Sequence, residues 1–286
     1  MYFMDNDLKN KTLAELEKLI EGFGQKKYIA SYIFSFIHKK NAADIDSLTT
    51  LSKDFRQKLK IEGYYISQIY IARKLTDTDA TKKYLFKLPD GLVVESVLLF
   101  DDERATVCAS TQVGCAMCCD FCATGKIKFK RNLSAAEIAD QINVIENDSG
   151  KRIANVVFMG MGEPLANYEN TLRAVRILNS KAGKNIGLRR LTISTCGIAD
   201  KIKKLADENI RPRLAVSLNA ADDKLRSRLM PINKKFPLRT LINALWLYQD
   251  KTGERITFEY VLINGVNDSD DDARGSLHLC ENFYAM

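Results

Sequence analysis

From Arg104 onward the chain carries five short apolar runs, each separated from the next by a stretch of helical periodicity. They are RATVCAST (104–111), NVVFMG (155–160), LTIST (191–195), RLAVSLN (213–219) and RITFEYVLI (255–263). Runs this short and this apolar suit strands buried in a parallel sheet. Their alternation with helices argues for consecutive βα units and an α/β fold. Helices are predicted after Ser134, whose partner Glu137 completes a capping box, from about Asn167 to Ser180, over 199–208, and around Leu238–Gln249. The order fits either a doubly wound sheet or a barrel. Polar and glycine-rich residues gather where strands give way to helices: Cys115–Cys122, Gly160–Pro164, Ser194–Gly197 and Ser217–Asn219. That edge is where parallel α/β proteins place their sites.

The first third reads differently. Residues 12 to about 72 are predicted helical, with Leu13, Leu16, Leu19 and Ile20 on one face and Ile29, Tyr32, Ile33, Phe36 and Ile37 on another. SLTTLSKDF supplies caps for a further helix. Residues 82–88 and 92–100 are predicted to pair as a hairpin around Pro89-Asp90-Gly91. Trp246 is expected in the core, Cys196 in packing, and His38 and His278 in surface or capping roles.

No apolar run approaches the roughly 18 residues of a membrane helix, and the N-terminus lacks the pattern of a secretory signal. A cytoplasmic protein with no membrane partner is expected. In that compartment clustered cysteines bind metal or do chemistry more often than they form structural disulfides. The net charge of +7 is concentrated at Lys126, Lys128, Lys130 and Arg131, at Lys201, Lys203 and Lys204, and at Lys234 and Lys235. Such patches fit a solvated surface or a polyanion partner.

Four of the seven cysteines fall within GCAMCCDFCATGK, from Gly114 to Lys126. Read together, Cys115, Cys118, Cys119 and Cys122 would make a tetrahedral zinc site, at the cost of turning two adjacent side chains onto one ion. Read as CxxxCxxC, Cys115, Cys119 and Cys122 would hold three irons of a four-iron cluster and leave the fourth open to chelate a small molecule. Phe121 would shield such a cluster from water. Reduced thiols without metal are the third reading.

CxxxCxxC with an aromatic before its last cysteine, followed after the next strand by GMGEP (160–164), resembles the radical S-adenosylmethionine (SAM) superfamily. More narrowly, CASTQVGCAMCCDFCATGKIKFKRNLSAAEI, MGMGEPLANYENTLRAV, RRLTIST, LAVSLNA, LMPINKKFPL and FEYVLINGVND resemble the dual-specificity RNA methyltransferases that modify C2 of adenosine, with relatives acting at C8. The match also takes in SFIHKK and LTTLSKDFRQKL. The resemblance implies an incomplete (βα)6-type partial barrel over 93–286 and an N-terminal helical accessory domain, with the start of the hairpin, over 1–92.

It implies a [4Fe-4S] cluster on Cys115, Cys119 and Cys122, and SAM contacts from Gly162, Glu163, Ser194, Ser217, Leu218 and Asn219. The serine and asparagine side chains are expected to bond ribose and carboxylate. Cys108 takes the place of the cysteine that resolves a covalent RNA–enzyme intermediate. Glu95 takes that of a proton acceptor, its carboxyl raised if buried among valines. RNA (large-subunit rRNA and tRNA), an electron donor such as flavodoxin, a monomer and a disulfide bond belong to the same expectation. In the family one SAM methylates a carrier cysteine, and a second yields the radical that activates that methyl. The match fades near Gly275, and Cys280 stands too early to be the carrier. A C-terminally shortened enzyme is therefore expected, with an inactive RNA-binding remnant and a zinc-bound RNA-interaction module as rivals.

Overall fold

The computed structural model describes residues 6–102, 104–281 and 283, so the last residues of the tail, 284–286, lie outside it. Helices α1 (Leu13–Gly22), α2 (Tyr28–His38) and α3 (Lys53–Ile61) come first. Thr12 and Glu15 close a capping box on α1, and Leu16 and Ile20 of its apolar stripe are fully buried. The helical reading overshoots at its end, because β1 (Tyr70–Thr76) is a strand. It is an edge strand with nearly every side chain exposed, so no apolar alternation marks it in the sequence. β2 (Lys82–Lys87) and β3 (Val93–Asp101) form the expected hairpin, with Lys87 opposite Val93.

β4 (Arg104–Cys108) pairs antiparallel with β3. A two-stranded clip, β5 (Gln112–Val113) and β6 (Arg131–Asn132), then closes the cysteine loop before α4 (Ala135–Ser149). The capping box of Ser134 and Glu137 opens α4 as predicted. β7 (Ile153–Phe158), α5 (Tyr168–Asn179), β8 (Leu191–Thr195), α6 (Ala199–Ala206) and β9 (Arg213–Ser217) follow. The chain continues through α7 (Asp223–Leu229), α8 (Leu238–Thr252), β10 (Ile256–Glu259) and α9 (Asp270–Glu281). The short α7 escaped the sequence reading.

Strand order decides between the two architectures. One sheet runs β1-β2-β3-β4-β7-β8-β9-β10, and its last five strands are parallel and in sequence order. A doubly wound sheet reverses order at a switch point; this one never does, and it curls as a partial barrel. β10 is its edge among the described residues. Residues directly opposite share a face. The register Val97–Cys108–Val157–Thr192, with Ser194 opposite Ala215 and Ser217 opposite Glu259, therefore gathers Glu95, Cys108, Ser194, Ser217 and Glu259 on one face.

Two side chains depart from expectation. His38 is 1% exposed rather than on the surface. It ends α2 against Phe34, and Gly183 leaves it room. Burial, with Lys9 and Lys184 adding to it, drives its imidazole down to about 3. Trp246 is 46% exposed because α8 buries Leu241, Ala244, Leu245 and Tyr248, a stripe that leaves position 246 facing out.

The N-terminal segment is fastened to the barrel by a buried ion pair, Lys9 Nζ to Asp140 Oδ1 at 2.8 Å, and Asp140 Oδ2 also accepts from the Ile69 N–H. Removing one partner strands the other charge. Lys9→Ala is expected to lower stability by about 3–5 kcal/mol in denaturant unfolding, and Lys9→Met with Asp140→Leu to recover most of it. A single variant that unfolds at the wild-type midpoint contradicts this.

Candidate functional site

The strand ends of the parallel half open onto a cavity of about 420 Å³ lined by Cys115, Cys119, Cys122, Glu163, Ser194, Ser217, Asn219 and Glu259 among others. The cysteine loop is held by its own backbone. The Cys115 N–H donates to the Ile127 carbonyl, Lys130 to Val113, and Asp120 to Leu229 at the end of α7. Gly114 has φ +74°, and a Cβ there would strike the Lys128 carbonyl.

The adjacent cysteines are separated by backbone geometry. Cys118 has φ +54°, is exposed, and is absent from the cavity wall, whereas Cys119 is half-buried within it. Only the CxxxCxxC set faces inward. Among the described residues no three His, Cys, Asp or Glu side chains converge as the ligands of a single ion would. Three loop thiols in one cavity wall suit an iron–sulfur cluster, in which each binds a different iron. Burial first, then Cys115, Cys122 and Glu163, push the Cys119 thiol up to about 12; burial also raises Cys115. Ionising these thiols would crowd negative charge there, and bound iron ions would offset it as the thiols release their protons. On that donor set, a [4Fe-4S] cluster fits.

Gly162 (φ +101°) lies against Gln112, and a Cβ at this position would overlap that side chain. Glu163 is 3% exposed and braced on both oxygens, Oε1 by the Leu165 N–H at 2.9 Å and Oε2 by the Cys196 N–H at 2.8 Å. Burial raises its carboxyl against those hydrogen bonds. Cys196, read from sequence as packing, lines the cavity and has its thiol against the same carboxylate.

Ser194 and Ser217 both donate to one oxygen of Glu259, at 2.7 and 3.0 Å. Glu259 was missed in the sequence. Its signal was a lone carboxylate at the end of RITFEYVLI, in register with Ser217. Each serine spends its proton on Glu259, so the trio offers acceptors and suits hydroxyl or ammonium donors rather than a carboxylate. Asn219 reaches the cavity with φ +57°, but its Oδ1 is taken by the Val261 N–H. The Leu218 side chain is buried facing a separate groove along β10.

Cys108 and Glu95 stand outside the cavity lining, on the same face of the sheet. Burial pushes the Cys108 thiol up to about 11, and Glu259 adds to the rise. Glu95 is 44% exposed and paired with Lys83 at 2.8 Å, so it follows the outward alternation of its strand, which sends Val94 and Ser96 to the core. All seven cysteines are free. Cys280 lines the β10 groove with Leu262 and Leu277 rather than the thiol cavity.

A sequential parallel half-barrel with three inward thiols at its strand ends is the architecture of a radical SAM enzyme, and the Radical SAM superfamily model matches residues 109–275. The model of the ribosomal RNA large subunit methyltransferase N-terminal domain matches residues 6–64. The probable dual-specificity RNA methyltransferase RlmN of Dictyoglomus turgidum is 46% identical over 277 residues, 96% of this chain and 79% of that protein. Its counterpart in Thermotoga neapolitana is 48% identical over 261 residues, 91% and 76% of the two chains. A crystal structure of a radical SAM methyltransferase from Sphaerobacter thermophilus superposes with a TM-score of 0.89 at 43% identity, covering 97% of this chain and 82% of that one. The chain belongs to the RlmN-type RNA methyltransferases of the radical SAM superfamily. Membership carries the cofactor pair with it, a [4Fe-4S] cluster and SAM.

Proposed function

We propose that this chain methylates C2 of an adenosine in large-subunit rRNA and in tRNA, drawing electrons from a small carrier protein such as flavodoxin. The observation that carries the reading is the inward set Cys115, Cys119 and Cys122 beside Glu163, Ser194, Ser217 and Glu259 in one cavity. The bound cofactors supply a reducing electron and a radical able to break a C–H bond. The chain's own residues do the rest. Glu163 receives a donor on its braced carboxylate. The Ser194–Ser217–Glu259 trio accepts from ribose hydroxyls or the ammonium. Cys108 and Glu95 share that face of the sheet, which supports the thiol and proton-acceptor roles proposed for them.

RNA has a visible approach. Lys126, Lys128 and Lys130 are exposed at the end of the cysteine loop, interleaved with the exposed Ile127 and Phe129. Cations alternating with apolar faces suit a single strand's phosphates and bases. Arg131 is no part of that strip, because Asp90 and Glu137 occupy its guanidinium. Lys128→Ala with Lys130→Ala is expected to reduce the log–log salt slope of RNA binding by roughly 1.4, the counterions of two single-strand phosphates. An unchanged slope removes the strip from the interface.

The function is tested by incubating the anaerobic enzyme with reductant, SAM and unmodified rRNA or tRNA, then digesting to nucleosides for mass spectrometry. 2-Methyladenosine is expected when the family's C-terminal segment with its carrier cysteine is appended, and 8-methyladenosine would move the assignment to the C8 relatives. Cys280, placed off the cavity, favours one second reading: an RNA-binding chain without methyl transfer, which would bind RNA and yield neither nucleoside.

A further inference from the structure

Arg226 is fully buried, and its charge has no carboxylate partner. Nε donates to the Leu218 carbonyl at 2.9 Å and Nη1 to Asn233 Oδ1 at 2.8 Å, while Nη2 donates to the carbonyls of Cys196 at 2.8 Å and Ser217 at 3.1 Å. All four acceptors are neutral. They satisfy the hydrogen bonds of the guanidinium but leave its charge without a counter-charge. A cation buried in that position without a direct ion pair is costly.

The location of the charge gives it a purpose. Cys196 and Ser217, whose carbonyls it holds, both line the thiol cavity, as does Met230, the residue that ends α7. Leu229, one residue earlier, accepts the Asp120 N–H between Cys119 and Cys122. One turn of α7 thus ties the cation to the loop that carries the thiols. The ionisable groups that act on Arg226 are Cys196, Cys119 and Asp223. Asp223 makes no direct ion pair with Arg226 and reaches it through Asn233, which accepts from Nη1 and donates to Asp223 Oδ1. The Nη2 side of the guanidinium faces the ends of β8 and β9, whose Cys196 and Ser217 line the thiol cavity.

We propose that Arg226 is the built-in counter-charge of the thiol cavity, a positioning residue that holds the ends of β8 and β9 and favours the more negative, reduced state of the cluster. The proposal rests on the cofactor reading above. Reduction by one electron adds one negative charge, so a fixed cation nearby raises the midpoint potential and its removal lowers it. At an effective interior dielectric of about 20, a unit charge within ~10 Å shifts such an equilibrium by roughly tenfold or more.

The test is redox titration of the anaerobically reconstituted full chain, followed by electron paramagnetic resonance, in the wild type, Arg226→Lys, Arg226→Gln and Arg226→Met. The Met and Gln proteins are expected to be at least tenfold harder to reduce, a fall of about 59 mV for a one-electron couple. The Lys protein keeps the charge and loses the fork, so its potential should stay nearer the wild type although its stability falls. A clamp without an electrostatic role would destabilise the Lys and Gln variants and leave their potentials equal, which overturns the proposal even if the Met protein fails to fold. Wild-type protein that takes up neither iron nor sulfide overturns the cofactor reading itself, and iron analysis separates that outcome from the first.

Discussion

Replacing Cys115, Cys119 or Cys122 by alanine is expected to abolish cluster uptake, while Cys118→Ala retains about four irons per chain after anaerobic reconstitution. The difference between neighbours 118 and 119 is the sharp part of this expectation. Both are cysteines in one loop, but the backbone at 118 is left-handed and its side chain is exposed, while 119 lies in the cavity wall. Turning Cys118 inward would mean unwinding a loop pinned at Cys115, Asp120, Cys122 and Gly125 by backbone hydrogen bonds. Iron and acid-labile sulfide analysis of the four single variants checks the assignment. Equal iron loss from Cys118→Ala would sink the three-thiol set and revive a four-cysteine zinc site, which metal analysis would show as one zinc.

The sequence carried the parallel half of the fold because its strands are short, apolar and evenly interrupted. Each predicted run from 104 to 263 contains an observed strand, although β10 ends at Glu259, earlier than the apolar run. Beyond it the chain turns, with Asn219 and Asn267 binding the backbone of 261 and 263. Barrel or doubly wound sheet was undecidable from periodicity, since the distinction lies in strand order, a property of long-range pairing. β1 was missed because an exposed edge strand has no buried face to pattern its residues.

The site was legible where chemistry concentrates in a motif and obscure where it depends on register. The cysteine cluster stands out by its spacing, while the choice of Cys115, Cys119 and Cys122 and the role of Glu163 came from the family resemblance. Glu259 becomes informative only when β10 lies beside β9, which places it opposite Ser217. Ser194 and Ser217 were found, but their hydrogen-bond polarity was not, because it is set by that unseen carboxylate. Arg226 lies in α7, a helix the sequence reading did not assign, and nothing marked it there. Its burial follows from the close approach of Gly197, a contact no local pattern reveals.

The central claim is that this cavity cleaves SAM reductively, and the groups proposed for that step lie between Cys115 and Glu259. Reconstituted protein given SAM and a strong reductant should release 5′-deoxyadenosine and methionine in equal amounts. Cys119→Ala should release neither, because without that thiol the cavity cannot hold the iron group that delivers the electron. Glu163→Ala should lose most of the yield while keeping its iron. It removes a carboxylate aimed at the ligand and leaves the Leu165 and Cys196 N–H groups unpaired. Glu259→Gln should weaken SAM binding more mildly, since the amide oxygen can still accept from both serines. The decisive measurement is chromatographic quantitation of 5′-deoxyadenosine from iron-replete wild-type protein under dithionite. The account predicts its formation alongside methionine and its loss in Cys119→Ala; an iron-replete wild type that leaves SAM intact would contradict it.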